Sequence, residues 1–259
     1  MRPSIRQSRL LLLIFASLIA SVAPAQELAP HEARYKIKAG FASGELTTRL
    51  DLVDGAFVAQ HTADPRGLAG LVAGGQIVEQ STFVVRDNAV HVLTYTSNDS
   101  LSRDKGNTSL SFDWKAKKVS GAVTPEGGAS QPVDLSLADP LHDRLSIQYQ
   151  LMLDLLRDTP ATTYRLFDAD GNKTLTITRV GNRTIKVGRT RYDAIGIQHQ
   201  AEGSSRTTLM WCVPSLGYLP AMIEQRRKGK LKVRVSLLSY DALPMEDVSA
   251  LPPSEVSAS

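Results

Sequence analysis

Apolar and polar residues alternate with period two in segment after segment of this chain, which restricts it to a mainly β architecture. In the clearest case Leu46, Thr48, Leu50 and Leu52 share one side while Thr47, Arg49 and Asp51 share the other. Asp54-Gly55 then marks a tight turn into a strand from Phe57 to Thr62. The same pattern predicts strands at Gln76 to Arg86, Val90 to Thr96, Ser109 to Trp114 and Val119 to Val123. It resumes at Thr162 to Phe167, Thr174 to Val180, Thr184 to Val187 and Tyr192 to Gln200, and closes with Thr207 to Val213, Leu219 to Arg226 and Lys230 to Tyr240. The Gly- and Pro-containing stretch Thr124 to Pro132 reads as a connection. Roughly a dozen strands are more than a flat open sheet usually holds, so the sheet is expected to curl or close.

One stretch departs from this pattern. In Asp139 to Asp158 the apolar period is helical: Leu141, Leu145, Tyr149, Met152 and Leu156 fall on one arc, widened by Leu151 and Leu155. Asp143, Ser146, Gln150, Asp154 and Arg157 fall on the opposite, solvent-directed side. Asp139 suits an N-cap and Pro140 the first helical position, giving a helix roughly 27–30 Å long. The expected fold is mainly β, a strongly curved antiparallel sheet or partly open β-barrel wrapped on one long helix. Arg144 and Gln148 lie inside the apolar arc, so their polar ends are directed at the sheet. They either line a cavity and meet the polar head of a ligand, or bond to strand carbonyls or a neighbouring carboxylate, with Arg144 also able to reach out to water.

The N-terminus carries Arg2, Arg6 and Arg9, an apolar run from Leu10 to Val22, and Ala23-Pro24-Ala25. That order reads as a secretory signal peptide over residues 1–25, cleaved after Ala25. No later segment approaches the roughly 20 apolar residues of a spanning helix, so an integral membrane protein is not expected. Three of the thirty basic residues belong to this leader, leaving 27 basic against 26 acidic residues and no basic surplus of the kind nucleic-acid binding needs. Residues 26–243 read as a single β-rich domain, and residues 244–259, with Pro252-Pro253 among Ser, Glu and Ala, as a disordered tail. Cys212 is the only cysteine, which rules out an intramolecular disulfide.

Catalytic and metal chemistry find little support. There is no G-x-S-x-G elbow, Cys212 follows Trp211 in a strand pattern as a lone apolar thiol would, and the five histidines show no metal-ligand spacing. Asp168-Ala169-Asp170-Gly171-Asn172 makes a hairpin turn more simply than a calcium loop, since its glycine is in the wrong place and the distal Glu is absent. No metal and no cofactor are expected. The segment Pro65 to Gly75 is apolar yet glycine-rich, and reads either as a lid closing over a cavity with Leu68, Leu71 and Val72 or as a static plug. Arg226-Arg227-Lys228-Gly229-Lys230, continued by Lys232 and Arg234, is by default a solvated strand face, with contact to anionic lipid or polysaccharide as the functional alternative. Trp114, Tyr149 and Trp211 are the candidate aromatic walls of a cavity, with ordinary core packing as the competing reading.

Several short stretches together resemble the exported bacterial β-rich family known as domain of unknown function 3108. They are Tyr35 to Leu52, Gly67-Leu68-Ala69-Gly70-Leu71, Asp139-Pro140-Leu141, Val187 to Ile197, and Thr207-Thr208-Leu209-Met210-Trp211 through Leu219-Pro220 and Ile223-Glu224 to Tyr240. The resemblance implies a periplasmic location and a curved β-sheet fold similar to half-barrel carriers of lipoprotein acyl chains, and it transfers no catalytic residues. The resulting expectation is a non-enzymatic periplasmic protein that shelters an apolar or amphipathic envelope molecule, a lipid or lipoprotein-like ligand, with Arg144, Gln148, Tyr149, Trp114, Trp211, Leu68 and Leu71 at the site. The alternatives are an assembly factor acting through its surface on another envelope protein, and an enzyme acting on envelope glycans through paired carboxylates.

Overall fold

A computed structural model describes residues 27–66, 75–101, 106–137, 140–168 and 171–245. The expected signal peptide, Leu68 and Leu71 with the rest of their apolar segment, Asp139, and the tail beyond residue 245 lie outside the described residues.

The strands run in chain order as β1 (His31–Ala39), β2 (Ala42–Val53), β3 (Ala56–Arg66), β4 (Ile77–Arg86), β5 (Ala89–Asp99), β6 (Gly106–Asp113), β7 (Lys118–Pro125), β8 (Gln131–Ser136) and β9 (Leu141–His142). A helix, α1 (Ser146–Leu156), precedes β10 (Thr163–Asp168), β11 (Gly171–Val187), β12 (Thr190–Ala201), β13 (Arg206–Val213), β14 (Leu219–Arg227) and β15 (Lys230–Ala242). All fifteen strands form one sheet, in the order β8-β7-β6-β5-β4-β3-β2-β1-β15-β14-β13-β12-β11-β10-β9. Neighbours are antiparallel throughout, except that β9 runs parallel to β10.

This order dictates curvature. The first and last strands, β1 and β15, sit side by side in the middle, and the two free edges, β8 and β9, are consecutive in the chain. Laid flat, fifteen strands at about 4.8 Å spacing would hold those edges some 67 Å apart. Ser136 and Leu141 are five residues apart, a reach of about 18 Å at most, so the sheet must curl through most of a turn. It remains open, because β9 pairs with β10 and not with β8.

Three of the expected readings are corrected. The helix covers eleven residues, about 16 Å, and not the whole of Asp139 to Asp158. Leu141-His142 instead pairs with Arg165-Leu166 as a strand, and the helix is opened by Asp143. The Asp143 carboxylate accepts the N–H groups of Leu145 (2.7 Å) and Ser146 (2.9 Å), while the Ser146 hydroxyl accepts the N–H of Asp143 (2.9 Å). This reciprocal capping box supplies the start that Asp139 and Pro140 suggested four residues earlier. The second correction concerns Thr124 to Pro132, where β7 reaches Pro125 and β8 begins at Gln131, leaving only a five-residue turn. The expected strands Thr174 to Val180 and Thr184 to Val187 are likewise one strand, β11, interrupted by a bulge between Arg179 and Gly181.

The sheet encloses α1 instead of packing on one side of it. Ser146, Tyr149, Gln150, Leu151, Met152, Leu153, Asp154 and Leu155 are all buried, so the side expected to face water is covered as well. Tyr149, Met152 and Leu153 enter a central apolar cluster with Ala33, Tyr35, Leu50, Phe83, Val213 and Leu219. Leu145, just ahead of the helix, joins Tyr95, Leu110, Phe112, Val119 and Phe167. Leu151 and Leu155 meet Ile195, Ile197, Met210 and Cys212. The polar residues on the helix are matched in place: Gln150 accepts the Val90 N–H (2.7 Å) and donates to Asp154 (2.7 Å), whose other oxygen accepts the Tyr164 hydroxyl (2.5 Å). Among the described residues no helix is long and apolar enough to cross a membrane.

Candidate functional site

Strand alternation places one residue in two on the concave, helix-facing side of the sheet, and register aligns those residues across neighbouring strands. In the centre, Ala33 of β1, Thr48 of β2, His61 of β3, Glu79 of β4 and Ser97 of β5 form one row. The row beside it runs His31, Leu50, Ala59, Ser81 and Tyr95. These two rows place an unusual density of polar side chains against a buried helix.

Towards the open end of β1–β3 the same face turns apolar and small. Ile37, Ala39, Ala42, Gly44, Ala63 and Pro65, with Leu101, line a hollow of about 200 Å³. Gly44 is required there by close backbone approach, because a Cβ would lie 2.6 Å from the carbonyl oxygen of Asp64. Ala63, in the wall of the hollow, is two residues from His61 on the same face, about 7 Å along the strand. The concave face of β1–β4 therefore runs from an apolar mouth to a polar floor.

Parts of that floor are tied into the fold. Asp143, fully buried, also accepts the Ser81 hydroxyl (2.6 Å). Burial pushes its carboxyl pKa up, while the bonds from Ser81, Ser146 and Leu145 act in the opposite direction. Glu79 accepts the Tyr95 hydroxyl (2.7 Å) and pairs with Arg144 (3.3 Å).

Among the described residues Nε2 of His31, Nε2 of His61 and the hydroxyl of Tyr149 are buried on this floor with no partner, as are Nδ1 of His142, Nη1 of Arg157 and Nε1 of Trp211 elsewhere. His31 is 2 % exposed and Tyr149 is completely enclosed, with their rings 6.4 Å apart. His31 donates from Nδ1 to the Ala29 carbonyl (2.8 Å), and burial lowers its pKa. It is therefore neutral, with its proton on Nδ1 and a bare acceptor at Nε2. His61 is driven to a pKa of about 4 by burial first, then by His31 and Arg144. Burial also raises the Tyr149 hydroxyl, which stays protonated. The floor thus brings together two neutral imidazoles and one hydroxyl, a set that a hydroxyl- or amide-bearing group would match. Among the described residues no three of His, Cys, Asp and Glu come together as metal ligands.

The residues expected at the site are dispersed. Tyr149 stands on the floor, its ring tilted against that of Phe83 (5.4 Å), and Arg144 lies at its edge on Glu79. Gln148 is only partly buried, and the amide that is built into the interior is Gln150. Trp114 belongs to a different cluster, where its indole N–H donates to the Val92 carbonyl (2.6 Å) and His91 meets its ring edge-on at 4.5 Å. Trp211 does not join Met210 and Cys212 against the helix. It packs with the central cluster beside Gly196, under the guanidinium of Arg183 at 5.0 Å. The Cys212 thiol is buried and its pKa is pushed up to about 12. His31, His61, Glu79 and Tyr95 were not anticipated. Their signal was the alternation itself, since His31 shares parity with Ala33 and Tyr35, and His61 with Ala59 and Ala63.

No curated protein matches this chain. Among solved structures, the crystal structure of a beta-barrel-like protein of domain of unknown function DUF1849 from Brucella abortus aligns with a TM-score of 0.55 at 10% identity. The alignment covers 84% of this chain and 99% of that one, a likeness of fold alone. The family described as protein of unknown function (DUF3108) matches residues 32–235, and the chain belongs to that family.

Proposed function

We propose that the protein is a non-enzymatic component of the bacterial periplasm that shelters an amphipathic envelope molecule on the concave face of β1–β4. The observation that carries this reading is that one face holds both an apolar hollow of about 200 Å³ and, from His61 inward, buried polar atoms that lack a partner among the described residues. An apolar cavity of about 150 Å³ suffices to hold a benzene-sized molecule, so the hollow has room for part of an alkyl chain. Buried donors and acceptors are ordinarily matched, and the hydroxyl or amide of a bound molecule would match His31, His61 and Tyr149. A binding role is favoured over catalysis because the interior carboxylates are committed: Asp143 holds the helix start and Ser81, and Glu79 holds Tyr95 and Arg144.

The test is native mass spectrometry of the protein purified from the periplasm of its own host without detergent. The expected result is an adduct of lipid-like mass that is lost in Ala63→Leu, which fills the hollow, while the unfolding midpoint is kept. A clean mass in the unaltered protein, together with no uptake of an apolar fluorescent probe, would refute the reading.

A further inference from the structure

The rim beside the hollow carries a second combination of residues, which neither the fold nor the proposed ligand explains. Phe41, in the turn between β1 and β2, is fully exposed at 112%. A lone exposed hydrophobe is ordinary, and Phe41 alone would mean nothing. Its surroundings change that. Strand β1 pairs with β15 so that Lys38 lies opposite Arg234, which puts the β1–β2 turn and the β14–β15 turn at the same end of the sheet. From Arg234 back to Lys230, β15 runs on about 13 Å in that direction. The segments 36–45 and 224–234 together hold eight basic residues against two acidic ones, Glu45 and Glu224.

The acids are already occupied. Glu45 pairs with Arg66 (2.7 Å), and Glu224 with Arg234 (2.7 Å) and Arg226 (3.2 Å). Arg227, Lys228 and Lys230 cluster at the exposed tip of the hairpin, next to Leu231, which is 41% exposed. Behind them Arg206, Arg227 and Lys232 border a polar recess of about 360 Å³. An aromatic ring standing clear of the protein, at the same end of the sheet as a cluster of cations, suits a surface that is apolar beneath and anionic above.

We propose that this end of the sheet docks on an anionic lipid bilayer, with the Phe41 ring in the acyl boundary and Arg227, Lys228 and Lys230 over the headgroup phosphates. The docking stands on Phe41 and its neighbouring cations whether or not a ligand occupies the concave face. It turns the apolar mouth at Ala39, Ala42 and Gly44 towards the membrane.

The test is sedimentation of the protein with vesicles of phosphatidylglycerol and with vesicles of phosphatidylcholine, at low and at high salt. Binding is expected to phosphatidylglycerol, weakening as salt screens the cations. Neutralising Arg227→Gln, Lys228→Asn and Lys230→Gln together is expected to weaken it on the order of 100-fold, roughly fivefold per cation. Phe41→Ser is expected to weaken it about tenfold, near the lower bound for burying a phenyl group. As a control, Lys186→Gln, Arg189→Gln and Arg191→Gln remove the same charge around the β11–β12 turn at the opposite end, and should leave affinity within about twofold. Phe41→Trp adds a direct reading, since its emission should be quenched by lipids brominated in the acyl chain. The proposal is overturned if phosphatidylglycerol vesicles are not bound, if the opposite-end triple variant loses as much affinity as the hairpin variant, or if the bound Phe41→Trp protein escapes acyl-chain quenching.

Discussion

Replacing Asp143 tests whether one buried carboxylate organises the start of the helix, and the alanine and asparagine substitutions should behave very differently. Asp143→Ala removes the acceptor for the N–H groups of Leu145 and Ser146 and for the Ser81 hydroxyl. Loss of a cap costs about 0.5–2 kcal/mol. Loss of a hydroxyl bond to a charged acceptor costs about 1.5–3 kcal/mol. Relief of the buried charge offsets part of that sum of about 2–5 kcal/mol, so the net loss should lie near its lower end, about 2 kcal/mol. Asn caps a helix about as well as Asp, and the Ser81 hydroxyl can turn to accept from the new amide, so Asp143→Asn should lose less than about 1 kcal/mol. The assay is urea unfolding followed by tryptophan fluorescence at neutral pH, where each 2 kcal/mol moves the midpoint by roughly 1 M at an unchanged slope. Equal midpoints for the two variants would refute the capping role.

The same pair of proteins carries a pH signature. Because burial raises the Asp143 pKa above 3.8, the folded chain binds more protons than the unfolded chain between 3.8 and the folded value. Its contribution to stability is therefore full below 3.8, is lost as pH rises through the folded pKa, and is flat beyond. Asn cannot titrate. The stability of the natural protein relative to Asp143→Asn should thus improve on acidification towards pH 4, and a pH-independent difference would mean that the carboxyl is not perturbed in the fold.

Gln150→Leu leaves the Val90 N–H and an Asp154 oxygen unmatched and should cost about 1–3 kcal/mol in the same urea assay, whereas Gln148→Leu should cost under about 0.5. An equal loss at both positions would show that the interior amide is not singled out. Burial above all drives His61 and His142 down to about 4 from the 6.5 of an ordinary imidazole, so their stability is present above 6.5 and is lost as pH falls through 4. The acid limb of a stability–pH curve should therefore flatten in His142→Phe, and an unchanged limb would contradict the burial of that ring. Cys212 should resist a thiol reagent in the native protein and react fully only in denaturant, so rapid native labelling would refute its placement beneath Met210 and Ile195.

Much of the sheet was legible because strand pairing writes itself into a local period. Leu46, Thr48 and Leu50 share the concave face, and the expected turn at Asp54-Gly55 falls where both residues take positive φ. What the period does not record is partner identity across long range. Glu79, Tyr95 and Arg144 meet from two strands and the start of the helix, and each taken alone is an ordinary surface-type residue. Gln131 to Ser136 alternates too, but its inward positions, Val133 and Leu135, are only two, and neighbouring Gly and Pro residues mask them.

The helix was misjudged for a more general reason. Reading amphipathicity assumes that a helix has two surroundings, core and water, and assigns its polar side to water. Here the sheet turns far enough to bury most of α1, so polarity on its covered side reports hydrogen-bond partners in place of solvent. Gln150 and Asp154 are polar because the Val90 N–H and the Tyr164 hydroxyl await them, and Asp143 because Ser81 and the helix N-terminus do. The same reasoning gives His31, His61 and Tyr149 their interest. On a largely enclosed helix and its facing strands polar atoms should answer to another group, and Nε2 of His31, Nε2 of His61 and the Tyr149 hydroxyl answer to none among the described residues.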